Sequence, residues 1–254
     1  MKVDSRAAKP TTDDPTPEDR VSAVFTDYVE AGEGPRWFLR RPRLAAGLIH
    51  DLARLPRHTV RPGGGPSGRS LRAALPADRP LSRALGHRAV LDLPATVAEY
   101  VDGHSKQTLR RKVRKARAQG ITWKPVTRPE ERRKLLAEAE DWERSLPAAH
   151  READNSDLER HDLWLVALAQ DGRPLLLAVI PYDDGWAVLR YFRSIGAGPE
   201  QSNARYLMMQ VVAEELIDRG VRHLVDAVAP HRLPNGLRHF QRMLGFRIVR
   251  VRVA

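Results

Sequence analysis

From residue 90 onward the apolar positions fall into regular periods; before it they do not. VLDLP (90–94) alternates as a short strand closed by proline. Thr96 stands at a helix N-cap position, and the helix is expected to break near Gly103, restart at Ser105 and stop at Gly120. Within SKQTLRRKVRKARAQG, Leu109, Val113 and Ala116 share one face and the remaining positions are mostly cations. ITWKPV (121–126) reads as a strand, and 132–142 as a helix with Leu135, Leu136 and Ala139 inward. LWLVALAQ (163–170) and RPLLLAVIPY (173–182) are strands joined at Asp171–Gly172, and WAVLRYFRSI (186–195) follows a second turn at Asp184–Gly185. A long helix over 203–219 carries Leu207, Val211, Val212 and Leu216 on its apolar face. A strand (222–228), a helix (236–244), Gly245 and a last strand (246–253) complete the chain. An antiparallel meander followed by a βαβ crossover predicts an α/β fold with a mixed, mostly antiparallel sheet flanked by helices.

The first ninety residues are less regular. Residues 1–20 are polar and proline-punctuated and are expected to be a disordered arm. Residues 21–89 form a basic N-terminal region, read as a partial second lobe before a domain at 90–254. It contains an amphipathic helix with Leu44, Leu48, Leu52 and Leu55 in phase. PGGGPSGRS (62–70) is a loop by composition and a near miss for a phosphate-binding loop. Arg69 stands where that motif needs lysine, Pro66 interrupts it, and no apolar strand precedes it.

Composition narrows the function. The 254 residues are 42% hydrophobic, with no run long enough to span a bilayer and no apolar core of a signal peptide, so a cytoplasmic protein is expected. With no cysteine, disulfides, thiolate zinc sites and cysteine nucleophiles are excluded. The net charge of +11 is concentrated: residues 36–118 hold 19 Lys/Arg against 5 Asp/Glu, whereas residues 119–254 hold 20 against 19. Such confinement is the footprint of a polyanion partner, the alternative being a solvated basic face. Lys106, Arg110, Arg111, Lys112, Arg114, Lys115 and Arg117 are the candidate nucleic-acid contacts. Few aromatics accompany them, which favours reading the shape and phosphates of a folded RNA over stacking on single strands.

The element order, closing on HFQRMLGFRIVRV, resembles the GNAT superfamily, whose domains often end in a helix, a Leu-Gly-Phe turn and a strand. KQTLRRKVRKARAQGITWKPV resembles the Fem-like branch of that superfamily, and the likeness covers about residues 90–254. It implies an N-acyltransferase that forms an amide, with aminoacyl-tRNA as donor, an amine on a small molecule or peptide as acceptor, and no cofactor. Acetyl-CoA-dependent relatives carry a glycine-rich pyrophosphate loop at the start of the long helix. Here GPEQSNARY (198–206) lacks it and places Glu200 where an anion would be repelled. An acyl-CoA donor stays as the alternative, and a non-catalytic RNA-binding module on the same scaffold as a second class.

An amine acceptor must lose a proton, so a base is needed. Asp226, at the end of the strand in HLVDAVAP, reads either as that base or as a structural cap of the following turn; the segment also resembles a single-domain aminoacyl-tRNA-protein transferase family, which has an aspartate at the matching strand. His231 is an assisting base or an exposed loop histidine. A backbone N–H near Tyr191 to Ser194 is expected to polarise the carbonyl. Tyr191 and Arg193 share a strand face and are candidate substrate-binding residues, with Asn203 and Arg205. Tyr206 is a candidate proton donor to the leaving group or a wall of the acyl pocket. His150, Glu152, Asp154, Asp157, Glu159 and His161 match no zinc or calcium spacing, so no metal is expected; they read as a mobile acidic connector or a carrier of acceptor specificity.

Overall fold

The computed structural model describes residues 14–75, 86–147 and 154–254. His150 and Glu152, and the first thirteen residues of the expected arm, lie outside them.

The arm does not extend to residue 20, because a helix, α1 (Pro17–Ala31), begins inside it. Thr16 accepts from the Asp19 N–H while the Asp19 carboxylate takes the Thr16 N–H, a reciprocal cap. A single turn, α2 (Arg36–Leu39), leads to the amphipathic α3 (Pro42–Arg54), which buries Leu48 and Leu52 against Val21 and Phe25 of α1. A short strand, β1 (Arg57–Val60), follows.

Within the glycine-rich stretch a helix, α4 (Pro66–Ala74), starts at once, since Pro66 at its first position has no N–H to lose. The loop before it meets a carboxylate at its first glycine. Gly63 N–H donates to the Asp183 carboxylate at 2.5 Å, and a Cβ on Gly68 would collide with Gly63 O.

The periodic part of the chain folds into β2 (His87–Asp92), α5 (Val97–Val101), α6 (Gln107–Ala118), β3 (Thr122–Pro125) and α7 (Pro129–Arg144). The strands β4 (Trp164–Leu168), β5 (Pro174–Val179), β6 (Tyr182–Asp183), β7 (Trp186–Leu189) and β8 (Tyr191–Ser194) come next. The chain then runs through α8 (Pro199–Asp218), β9 (His223–Asp226), α9 (Asn235–Leu244) and β10 (Arg247–Val253).

The strands make two sheets, ordered β1-β10-β2-β9-β7-β6 and β3-β4-β5-β8. The first is mixed, with β1 parallel to β10 and β7 parallel to β9; the second is wholly antiparallel. The α/β class expected from the pattern is therefore found, in two sheets rather than one. The run 186–195, which reads as one strand, divides between them. β7 pairs with β9 and β8 pairs with β5, and only Arg190 lies between. Its N–H donates back to Val188 O at 2.8 Å, a tight turn that kinks the chain out of the first sheet.

Helices cover both faces. α8 and α6 pack over one side of both sheets, around Leu109, Val113, Leu176, Ala187, Met208 and Leu224. On the other side α4 closes the first sheet through Leu71 and Ala74, and α7 closes the second through Leu135 and Ala139. Because side chains alternate along strands, each helix layer reads every second residue. Among the described residues no helix is long and apolar enough to cross a membrane.

Candidate functional site

The break at Arg190 leaves a gap between β7 and β8, and the end of β9 runs into it. There Asp226 sits on one side and Ala227 on the other, and each lines a different pocket. The Asp226 pocket is bounded by Arg193 of β8, Arg205 and Met209 of α8, and Leu237, Phe240 and Gln241 of α9. The Ala227 pocket, about 420 Å³, lies under α4, between Arg69, Ser70, Asp157, Arg160 and His161. Arg190 borders both. As α4 and α8 cover opposite sides of the first sheet, the two pockets stand back to back at the break.

Asp226 is half-buried at the end of β9. One oxygen accepts the Val228 N–H at 2.7 Å and the other the Gln241 side-chain N–H at 2.5 Å. Burial pushes its carboxyl up to about 6, and these two bonds with the nearby arginines, Arg193 and Arg88, only partly oppose that. The Val228 N–H bond makes Asp226 a cap of the turn that follows β9. Arg205 donates through Nε to Ser194 Oγ at 2.9 Å, and burial, then the like charge of Arg193, lowers its affinity for its proton. Arg193 lies 3.5 Å from the Glu143 carboxylate. Around these polar groups the walls are Leu189, Phe192, Leu233, Leu244 and Phe246. The pocket is therefore apolar with cations and a single carboxylate, the composition expected for a ligand that is part greasy and part anionic.

The other sequence candidates fall elsewhere. Tyr191 does share a face with Arg193, but it is 1% exposed, donates to Glu143 at 2.9 Å and lies in the core beneath α7. Asn203 is buried and ties α8 to the end of α6 by donating to Gln119 Oε1 at 2.7 Å. His231 packs against Phe25 and His87, outside the Asp226 pocket, and burial lowers it to about 4. It is neutral at physiological pH and too weak a base to assist. Tyr206 stands one ring outside the pocket, edge-on to Phe240 at 5.0 Å.

The basic helix α6 buries Leu109, Val113 and Ala116, while Arg111, Arg114, Lys115 and Arg117 point to solvent. Two of its neighbours in the sequence motif turn inward instead. Lys106 donates to Leu244 O and lies 4.5 Å over the Tyr100 ring, with burial lowering it to about 8. Arg110 donates to Val101 O and Gly103 O, closing the end of α5. Lys112 approaches the Tyr206 ring at 5.9 Å, so the cationic face of α6 reaches the rim of the Asp226 pocket through Tyr206 and Phe240.

Gln241 and Arg190 had no sequence signal, and Ser70, Asp157 and His161, each noted in the sequence, had none that joined them. His161 Nε2 is 3.1 Å from Ser70 Oγ and 3.4 Å from Asp157, and Arg190 donates to Asp157 at 2.8 Å. This ordered knot replaces the mobile connector expected over 154–161. It is not a catalytic triad, since serine and aspartate meet the same ring nitrogen and the buried Nδ1 has no hydrogen-bond partner.

No protein-family model matches the sequence, and no curated protein does. Solved structures of similar shape include L-PGS from Bacillus licheniformis, at 16% identity and a TM-score of 0.49. They also include the C-terminal domain of a protein from Agrobacterium fabrum described as a lysylphosphatidylglycerol synthetase, at 16% and 0.48. Each alignment covers 65% of this chain and 60% of the other, so the chain spans about three fifths of these relatives' length. Lysylphosphatidylglycerol synthetases are a different family from the Fem-like transferases. The expected Fem-like membership and the expected amide product are corrected accordingly.

Proposed function

We propose that the chain is an acyl-group transferase that moves an aminoacyl group from aminoacyl-tRNA to a hydroxyl of an anionic, amphiphilic acceptor. The observation that carries this reading is Asp226 beside Arg193 and Arg205 in a largely apolar pocket at the break between the sheets. Arg193 and Arg205 favour an anionic head group, and Leu233, Leu237 and Phe240 favour its hydrocarbon portion. The exposed cations of α6, the helix whose Lys112 approaches the Tyr206 ring beside that pocket, favour the phosphates of the donor.

In this reading Asp226 takes the proton of the acceptor hydroxyl as its oxygen attacks the ester carbonyl of the donor. The two guanidinium groups stabilise the negative charge that develops on the carbonyl oxygen. The carbon–oxygen bond to the tRNA ribose breaks, Asp226 returns the proton to the departing ribose oxygen, and the carboxylate is regenerated. Arg190, held by Asp157, lines both pockets at the break.

The test uses the full chain, a mixture of tRNAs charged with labelled amino acids, and phosphatidylglycerol vesicles as the anionic hydroxyl acceptor. Label should pass into the lipid phase, and Asp226→Asn should lower that rate by about 100-fold or more. If no charged tRNA delivers label to the lipid while the folded chain is present, the reading fails.

A further inference from the structure

Among the described residues, one group of three metal-capable side chains comes together, and it lies away from the Asp226 pocket. His223 opens β9 and Asp226 closes it, so the two sites occupy opposite ends of one strand. His58 comes from β1, Asp92 from the end of β2 and His223 from β9. One ligand atom from each lies within 4.8 Å of the others. By strand alternation all three project to the face that also carries Val60, Val90 and Val225.

We propose that His58, Asp92 and His223 bind a divalent first-row transition ion of the zinc type, with a fourth position open to water. Two imidazoles and one carboxylate are a donor set such ions accept, whereas magnesium and calcium prefer oxygen ligands throughout. Asp92 and His223 are already in register, with Oδ1 and Nδ1 2.8 Å apart. The Trp186 ring lies 4.3 Å from the His223 ring and 5.8 Å from that of His58, and it limits how far either imidazole can turn. Tetrahedral bonds of about 2.0–2.2 Å set ligand atoms about 3.3–3.6 Å apart, so binding would open the Asp92–His223 pair and draw the remaining donor atoms inward. Asp92, 57% exposed, provides both the adjustable ligand and the path from solvent. A bound ion would fasten β1, from the basic N-terminal region, to β9 in the interior of the same sheet.

Zinc ion alone is the probe, titrated by calorimetry into tag-free full chain, with cobalt substitution to report the ligand field. One zinc per chain is expected, with thermal stability rising as zinc is added and magnesium failing to compete. Asp92→Asn and His58→Ala should each weaken binding by about a hundredfold or more, since losing a direct ligand costs at least as much as losing an outer-shell partner. Exposed His239, changed to Ala, should leave binding unaltered. Asp92→Asn changes an exposed residue and guards against a variant that simply misfolds. Absence of stoichiometric binding, or equal binding by the wild type and both ligand variants, would make the trio an ordinary His–Asp pair beside tryptophan and overturn the proposal.

Discussion

Asp226 concentrates the conflict between folding and chemistry in one side chain. Its folded pKa, about 6, lies above the ordinary 3.8, so as pH rises the unfolded chain gives up this proton first. The native state then binds more protons than the unfolded state across that interval, and stability falls between about pH 4 and pH 6. Activity should move the opposite way, rising through pH 6 as the carboxylate forms. Asp226→Asn removes the charge but keeps an oxygen for the Val228 N–H. It should be inactive yet more stable than wild type at pH 8 by roughly 1–3 kcal/mol, with the gap closing toward pH 4 in denaturant titrations. Asp226 was legible because an acid ending an apolar strand stands out in sequence. Gln241 and Arg190 were not: Gln241 acts across 15 residues and Arg190 reaches Asp157 across 33, and nothing local marks either pairing.

Among the elements, α6 was readable because an apolar stripe with period 3.6 survives any choice of neighbours, and α8 because it is long and buried around most of its surface. The break between β7 and β8 was not, since LRYFR is as good a strand as any, and only competition between two sheets divides it. α1 is hidden by the polar, proline-rich stretch it starts in, although its capping pair, Thr16 and Asp19, is local and visible. β1 is four residues long with one buried position, too short to show a period. Two predictions belong here. Reversing Arg111, Arg114 and Lys115 to glutamate should leave melting nearly unchanged, since these are exposed, but flatten the salt dependence of tRNA binding. Every phosphate the helix no longer neutralises should take about 0.7–0.9 off the slope of log K against log salt, measured by filter binding at several ionic strengths. Lys106→Met, on the same motif but turned inward, should leave that slope untouched, because its ammonium serves Leu244 O rather than solvent.

For the molecule as a whole, the N-terminal region is bound to the C-terminal strand at several points. Glu18 accepts from Arg247 Nε at 2.6 Å and from Ile248 N–H at 2.9 Å, and Phe25 stacks on His87 at 5.0 Å. Phe25 is 2% exposed, so Phe25→Ala should cost about 3–5 kcal/mol. Limited proteolysis should then cut α1 and α3 before the sheets; simultaneous loss of both sheets would instead place Phe25 in the common core. The concentration of positive charge was readable from composition alone. Its division into outward cations on α6 and inward ones at Lys106 and Arg110 required the fold.

The parallel pairing of Arg57–Val60 with Arg250–Val253 also bears on how the chain is made. Synthesis is vectorial, and β1 emerges almost two hundred residues ahead of the strand that must insert between it and β2. Until residues 247–253 clear the ribosome, two strands wait with unpaired edges, and the sheet can close only after they arrive. Folding of the six-stranded sheet is thus a late event, and a stalled or shortened nascent chain would expose β1 and β2 to chaperones or to one another.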